Sequence, residues 1–198
     1  MQAKDRFLEK IKLVIFVFIL CFSHKLNAEN IYEIILNYND SLKNTSAKLI
    51  QTNSDYIQEG KIFFGDKRIK ITYKNPQKLT LILSEKKGMY INHELEESEF
   101  FMTNKSYIKT FFDIFHKQTY IKKNMTLENL NQQIKFSQKI ELDNIFFDIR
   151  LTYENDPIKL RRLEIIGDEE NIQIGFFDHS NENIFDKNFF SMIDPYLN

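Results

Sequence analysis

The sequence predicts a mainly β chain with helices, an α+β fold in which about ten antiparallel strands follow an amphipathic helix and are interrupted by one helical insertion. Short blocks rich in Ile, Phe, Leu and Tyr recur between Gly, Asn, Asp and Pro, each with strand length and strand composition. The links between them are mostly brief, which favours antiparallel neighbours over helical crossovers. Helical spacing is confined to two places, the start of the post-leader region and the middle of the chain.

In order, Ile31, Ile34, Ile35, Tyr38 and Leu42 place one apolar stripe on a helix. Asn39-Asp40-Ser41 and Asn44 compete with its hydrogen bonding and mark its end. Strands are expected at Ala47–Thr52, Ile57–Phe64, Arg68–Tyr73, Leu79–Leu83, Gly88–Asn92 and Ser98–Thr103. Tyr107, Ile108, Phe111, Phe112 and Phe115 then fall at helical spacing within Ser106–His116, and Thr126–Gln133 reads as a second helical turn or two. Strands resume at Ile134–Ile140, Ile145–Tyr153, Leu160–Ile166 and Ile172–Phe177. Ile69, Ile71 and Tyr73 alternate with Arg68, Lys70 and Thr72, so that strand has one apolar and one wet face. Phe63-Phe64, Phe146-Phe147 and Phe176-Phe177 instead put rings on both faces. They call for a curled sheet with a partly covered exterior, a partner surface, or a sandwich core with scattered surface rings.

The chain has 198 residues, 27 Lys and Arg against 28 Asp and Glu, one Cys, 19 Phe and no Trp. The near-neutral balance excludes a strongly basic nucleic-acid binder, and a lone Cys excludes an internal disulfide framework. Lys4, Arg6, Lys10 and Lys12 precede the apolar run Leu13–Phe22, the pattern of a signal peptide, with residues 1–28 removed after Ala28. The run is shorter than the roughly 20 apolar residues of a membrane span, which disfavours an uncleaved anchor. Bulky Phe18-Ile19-Leu20 before Cys21 disfavour lipid attachment there. Residues 29–198 are expected to form a single exported domain. They hold 22 basic and 26 acidic residues, no Cys, 15 of the Phe and all nine Tyr, which excludes thiol nucleophiles and Cys-ligated zinc.

Catalytic patterns are absent or broken. His93-Glu94-Leu95-Glu96-Glu97 has Glu97 where a zinc-protease helix needs its second His. Asp178-His179-Ser180 are adjacent, so His cannot bridge the other two, and they read as a turn. Asp168-Glu169-Glu170 reads as a solvated hairpin tip, and the five Gly are isolated, with no phosphate-cradling spacing. The expected site is therefore a binding site, without cofactor or metal.

Several segments resemble, in matching order, the periplasmic lipoprotein carriers called LolA. They are Leu42–Gln51, Ile57-Gln58-Glu59-Gly60-Lys61-Ile62-Phe63-Phe64, Arg68-Ile69-Lys70-Ile71-Thr72-Tyr73-Lys74-Asn75-Pro76, and Asp156–Ile165 followed by Ile172-Gln173-Ile174. The resemblance implies an open half-barrel sheet capped by the N-terminal helix and a helical lid, with acyl chains of a lipoprotein held in the cavity. Ile69, Ile71 and Tyr73 match cavity-facing positions, and strand parity adds Leu81, Leu83, Met89 and Ile91. Tyr107, Ile108, Phe111, Phe112 and Phe115 would form the lid. The family's latch Arg and following Pro align with Gly65 and Asp66, leaving Arg68 as the candidate latch. The resemblance further implies a monomeric periplasmic shuttle. Its cargo would be acylated lipoproteins, its donor an inner-membrane ABC-type extractor, and its acceptor an outer-membrane receptor or the membrane itself. Two rivals stand beside it: a lipid-sensing regulator of the same fold, and an exported hydrolase. Copurified lipid separates carrier from hydrolase, and lipoprotein sorting after depletion separates carrier from regulator.

Overall fold

The computed structural model describes residues 30–53, 55–117, 119–130, 132–168, 171–181 and 184–197. The expected leader, residues 1–28, and the cut after Ala28 lie outside the described residues. Among the described residues no helix is long and apolar enough to cross a membrane. Residues 30–41 are helical (α1), and the division between two compact units, 1–35 and 36–198, falls within that helix.

Strands of the second unit are β1 (Thr45–Thr52), β2 (Ile57–Phe64), β3 (Ile69–Asn75), β4 (Leu79–Leu83), β5 (Lys87–Asn92) and β6 (Glu97–Met102). After helices α2 (Tyr107–His116) and α3 (Tyr120–Asn124) come β7 (Thr126–Leu130), β8 (Gln133–Leu142), β9 (Ile145–Asn155), β10 (Ile158–Ile166) and β11 (Asn171–Ser180). All eleven form one open sheet in the order β6-β5-β4-β3-β2-β1-β11-β10-β9-β8-β7. Every neighbouring pair is antiparallel. The architecture is the α+β class that the strand pattern implies, one large open antiparallel sheet consistent with the half-barrel that the resemblance implies.

Ten of the eleven strands fall where their composition places them. The exception is Thr126–Leu130, expected as helix and found as the edge strand β7, paired with β8 from Thr126–Ser137 to Leu130–Gln133. Five residues carry too little period to distinguish the two states, and pairing with the long β8 decides the outcome. Asp143 and Asn144, with φ of 50° and 65°, make a two-residue turn between β8 and β9, the left-handed geometry that Asp and Asn tolerate. Asn44, with φ of 61°, ends the α1 turn, and its N–H donates to the Phe64 carbonyl at 2.8 Å.

Side chains directly opposite in an antiparallel pair share a face. One face therefore carries Phe64, Ile69 and Leu83, and beside them Ile62, Ile71 and Leu81. It continues through Leu49 and Phe176 to Leu163, Leu151 and Phe136. Leu49, Phe64, Ile69, Phe136, Leu151, Leu163 and Phe176 are all buried. This inner face is the core, and each such side chain stabilises the fold by roughly 1.5–3 kcal/mol.

The outer face of β2–β5 is also covered. Phe63 meets the rings of Phe185 and Phe189, at centroid distances of 6.0 and 5.0 Å. Lys70, on the side expected to be wet, donates to the Phe189 carbonyl at 3.0 Å and lies 4.2 Å from that ring. Burial pushes its ammonium below the ordinary lysine range. Residues after β11 thus run back across this face, and the Phe63-Phe64 doublet serves two cores. Phe146-Phe147 and Phe176-Phe177 differ: Phe147 and Phe176 are buried, whereas Phe146 and Phe177 stay exposed.

Candidate functional site

β6 and β7 are the two edges of the sheet, and residues 103–125 connect them. This connector crosses the inner face, with Phe115 of α2 5.2 Å from Phe64 of β2 and Tyr107 5.6 Å from Phe147 of β9. The apolar spacing of α2 turns Phe111, Phe112, Ile114 and Phe115 into buried positions.

Between α2 and the sheet remains a cavity of about 140 Å³. The sequence-predicted Ile71, Tyr73, Leu81 and Leu83 line it from β3 and β4, with Tyr107, Ile108 and Phe111 from α2. Ile69 shares the inner face, opposite Leu83 and Phe64, but does not border the cavity. Phe112 and Phe115 belong to α2 without lining it: Phe115 packs on Phe64 and Phe111, and Phe112 stacks on His116 at 4.2 Å.

Met89 and Ile91 are a correction. They pair with Ile82 and Thr80, not with Leu81 and Leu83, so they sit on the outer face. Both are buried there. Alternation fixes parity within a strand, whereas the β4–β5 turn sets it between strands. Sequence reasoning missed Gln51, Leu163, Ile165, Ile172 and Ile174, which complete the lining. Their alternation was visible, but placing them opposite β3 and β4 requires β1 to pair with β11 across some 130 residues, as in Lys48 opposite Phe177.

The cavity has one polar end. The Tyr73 hydroxyl donates to Gln51 Oε1 at 2.6 Å, and burial raises the phenol above its ordinary value. The tyrosine remains neutral near pH 7, so this end of the mostly apolar wall carries an uncharged, hydrogen-bonded hydroxyl.

Polar contacts join α2 to its surroundings at several points. Asn39 Nδ2 donates to the Ile114 carbonyl at 3.2 Å, and its Oδ1 accepts from the buried Tyr153 hydroxyl at 3.2 Å. Asn39 thus joins α1, α2 and β9. His116 Nε2 lies 3.2 Å from the Gly65 carbonyl and Nδ1 3.3 Å from that of Phe112. Burial holds this imidazole below its ordinary pKa, although both carbonyls favour its charged form. Lys109 and Lys117, the latter just past the end of α2, flank Asp113 at 2.5 and 3.0 Å, and Lys117 also reaches Glu85 in the β4–β5 turn at 3.6 Å.

Arg68 is the second correction. Its guanidinium donates to the Phe190 carbonyl, so it holds the C-terminal segment against the sheet, not α2. At Gly65, a Cβ would come within 2.9 Å of the Phe190 ring and 3.1 Å of the Arg68 carbonyl. The position aligned with the family's latch therefore has no room for a side chain unless Phe190 shifts. It contributes instead its carbonyl, beside His116.

The other chemically suggestive residues have structural partners. His93 lies in the β5–β6 turn between Thr80 Oγ1 and the Tyr196 hydroxyl, each at 2.9 Å. His179, in β11, contacts the Leu160 carbonyl at 3.0 Å, while Asp178 pairs with Lys48 at 2.7 Å. Asp168 sits in the β10–β11 link, and Glu169 and Glu170 lie outside the described residues. Among the described residues no group of three or more His, Cys, Asp or Glu is placed to hold a metal ion.

No family model and no curated protein matches the chain. Solved structures do. An uncharacterized conserved protein from Thermus thermophilus is 7% identical, with a TM-score of 0.55 over 85% of this chain and 96% of that one. A putative outer membrane lipoprotein-sorting protein domain from Vibrio parahaemolyticus is 8% identical, with a TM-score of 0.47 over 79% and 94%. LprF from Mycobacterium bovis is 12% identical, with a TM-score of 0.37 over 77% and 95%. The Thermus protein shares the fold of this chain.

Proposed function

We propose that the chain is a non-enzymatic carrier that takes acyl chains of lipoproteins beneath α2 and shuttles them through the periplasm, from an inner-membrane ABC-type extractor to an outer-membrane acceptor or membrane. The observation that carries this reading is the mostly apolar cavity between the inner face and α2, which lies in the segment that links the two sheet edges. The resemblance of the β2 and β3 segments to lipoprotein carriers supports the same direction.

At about 140 Å³ the cavity is smaller than the roughly 300–1,000 Å³ of ordinary ligand pockets. The structure is thus the closed form in this reading, and cargo enters as α2 lifts from the sheet. Each acyl CH2 buried contributes about 0.8 kcal/mol, which drives entry and makes release dependent on an acceptor.

Mass spectrometry of apolar material copurifying with the protein is the direct test, and acylated peptides are expected. Depletion of the protein is expected to mislocalise outer-membrane lipoproteins. Normal sorting after depletion would sink the shuttle reading. Leu81→Asp, a charge on the half-buried cavity wall, should abolish acyl pickup while circular dichroism still shows the sheet. Unchanged pickup would place the cargo elsewhere.

A further inference from the structure

A second concavity, of about 690 Å³, lies at the end of the sheet beside the C-terminus of α2. It is open, and its lining comes from the β2–β3 and β4–β5 turns and from residues 112, 116 and 117. Five cationic side chains, Lys67, Arg68, Lys86, Lys87 and Lys117, line it against two acidic ones, Asp66 and Glu85. Lys67, Lys86 and Lys87 are exposed. Lys117 is shared between Asp113 at 3.0 Å and Glu85 at 3.6 Å, so the acid at Glu85 is already engaged.

Beside this cleft the edge strand β6 exposes two large apolar side chains, Phe100 at 51% and Met102 at 56% of their surface. Met102 is directly opposite Lys87, whose ammonium lies 5.5 Å from the centre of the Phe100 ring. Exposed apolar side chains among lysines are the combination that seats on a lipid surface, with rings among the acyl chains and ammonium groups at the phosphates. Of the acidic residues nearby, Glu94, Glu96 and Glu97 lie at the far end of β6, and the exposed Glu99, next to Phe100 and opposite Tyr90, projects from the other face of the strand.

We infer that this end of the sheet is a docking surface for an anionic bilayer, with Lys67, Lys86 and Lys87 meeting lipid phosphates and Phe100 and Met102 entering the interface. The occupant follows from charge complementarity and from the two exposed apolar side chains beside it. The inference goes beyond the carrier reading and does not need it, although docking here would bring the His116 end of α2 to the membrane.

Co-sedimentation of the full chain with vesicles of equimolar phosphatidylglycerol and phosphatidylcholine tests it, with pure phosphatidylcholine as control. Binding is expected to the anionic vesicles alone and to fall with added salt. Each lysine near such a surface is worth about a fivefold change in affinity, so Lys67→Glu, Lys86→Glu and Lys87→Glu together should weaken binding by on the order of 100-fold or more. These turn positions are exposed, and an unchanged thermal melt checks the fold. Phe100→Ser with Met102→Ser should weaken attachment without changing its salt dependence. Equal binding by the charge-reversed variant, binding to neither vesicle, or attachment only when a membrane protein is present in the vesicle would overturn the inference. Acyl-probe uptake, measured without vesicles, reports on the carrier reading separately.

Discussion

Leu81→Phe separates a binding cavity from a packing defect, because both readings allow the same stability change but only the first predicts a loss of uptake. Leu81 lines the cavity from β4, opposite Ile71, and its side chain is half-buried. The pocket of about 140 Å³ is only half enclosed, so what a larger side chain gains there is the apolar area it covers and not the cost of an empty core cavity. A phenyl ring in place of the isobutyl group fills part of it, a gain of about 1 kcal/mol if the ring finds a relaxed rotamer. For a domain of this size that raises Tm by roughly 2–4 °C. The assay pairs a thermal melt with titration of a dansyl-labelled fatty acid. The variant is expected to melt higher and take up markedly less probe. A more stable variant that binds the probe as well as the parent would refute acyl entry at this cavity.

Other perturbations address the contacts around α2. Asn39→Leu leaves the buried Tyr153 hydroxyl and the Ile114 carbonyl without their partner, at about 1–3 kcal/mol each, so the urea midpoint should fall and probe uptake should quicken. Arg68→Ala frees the Phe190 carbonyl, so limited proteolysis should cut residues 184–197 sooner with no change in uptake rate; faster uptake would restore Arg68 as a lid latch. Burial holds His116 and His179 below the ordinary imidazole value. The folded chain then binds fewer protons than the unfolded one just below pH of about 6.5. Their contribution is fully present above that value and is lost as pH falls through the depressed folded values. Thermal melts between neutral and mildly acidic pH should show this loss, and His116→Gln with His179→Gln should flatten it.

Composition and period were enough to find ten strands and the helix α2, because Ile69, Ile71 and Tyr73, or Tyr107, Ile108 and Phe111, state their period within a few residues. What they did not state was which strands lie opposite which. Met89 and Ile91 have the same alternation as Leu81 and Leu83, and only the β4–β5 register puts them on the other face. Arg68 read as a latch because its real partner, the Phe190 carbonyl, belongs to a segment 122 residues away with no secondary structure of its own to recognise. The Phe63-Phe64 doublet was compatible with a cover on both faces but did not show it, since Phe146 and Phe177 belong to like doublets and stay exposed.

In the proposed carrier, α2 acting as a lid also sets a length for the cargo. Lifting α2 re-exposes Phe111, Phe112, Ile114 and Phe115, all buried in the closed form. At roughly 1.5–3 kcal/mol per side chain that costs about 6–12 kcal/mol, against which an acyl chain returns about 0.8 kcal/mol per methylene. Balance is reached at roughly 8–15 methylenes, so a single short chain cannot hold the lid open and a long or multiple chain can. Fatty acids of increasing length should show little binding up to medium chains and then a steep rise, in competition against the dansyl probe. Phe111→Ala with Phe115→Ala lowers the burial lost on opening and should move the threshold to shorter chains. Affinity that grows evenly from the shortest chain, or a threshold that ignores these two rings, would show that α2 does not move when the ligand binds.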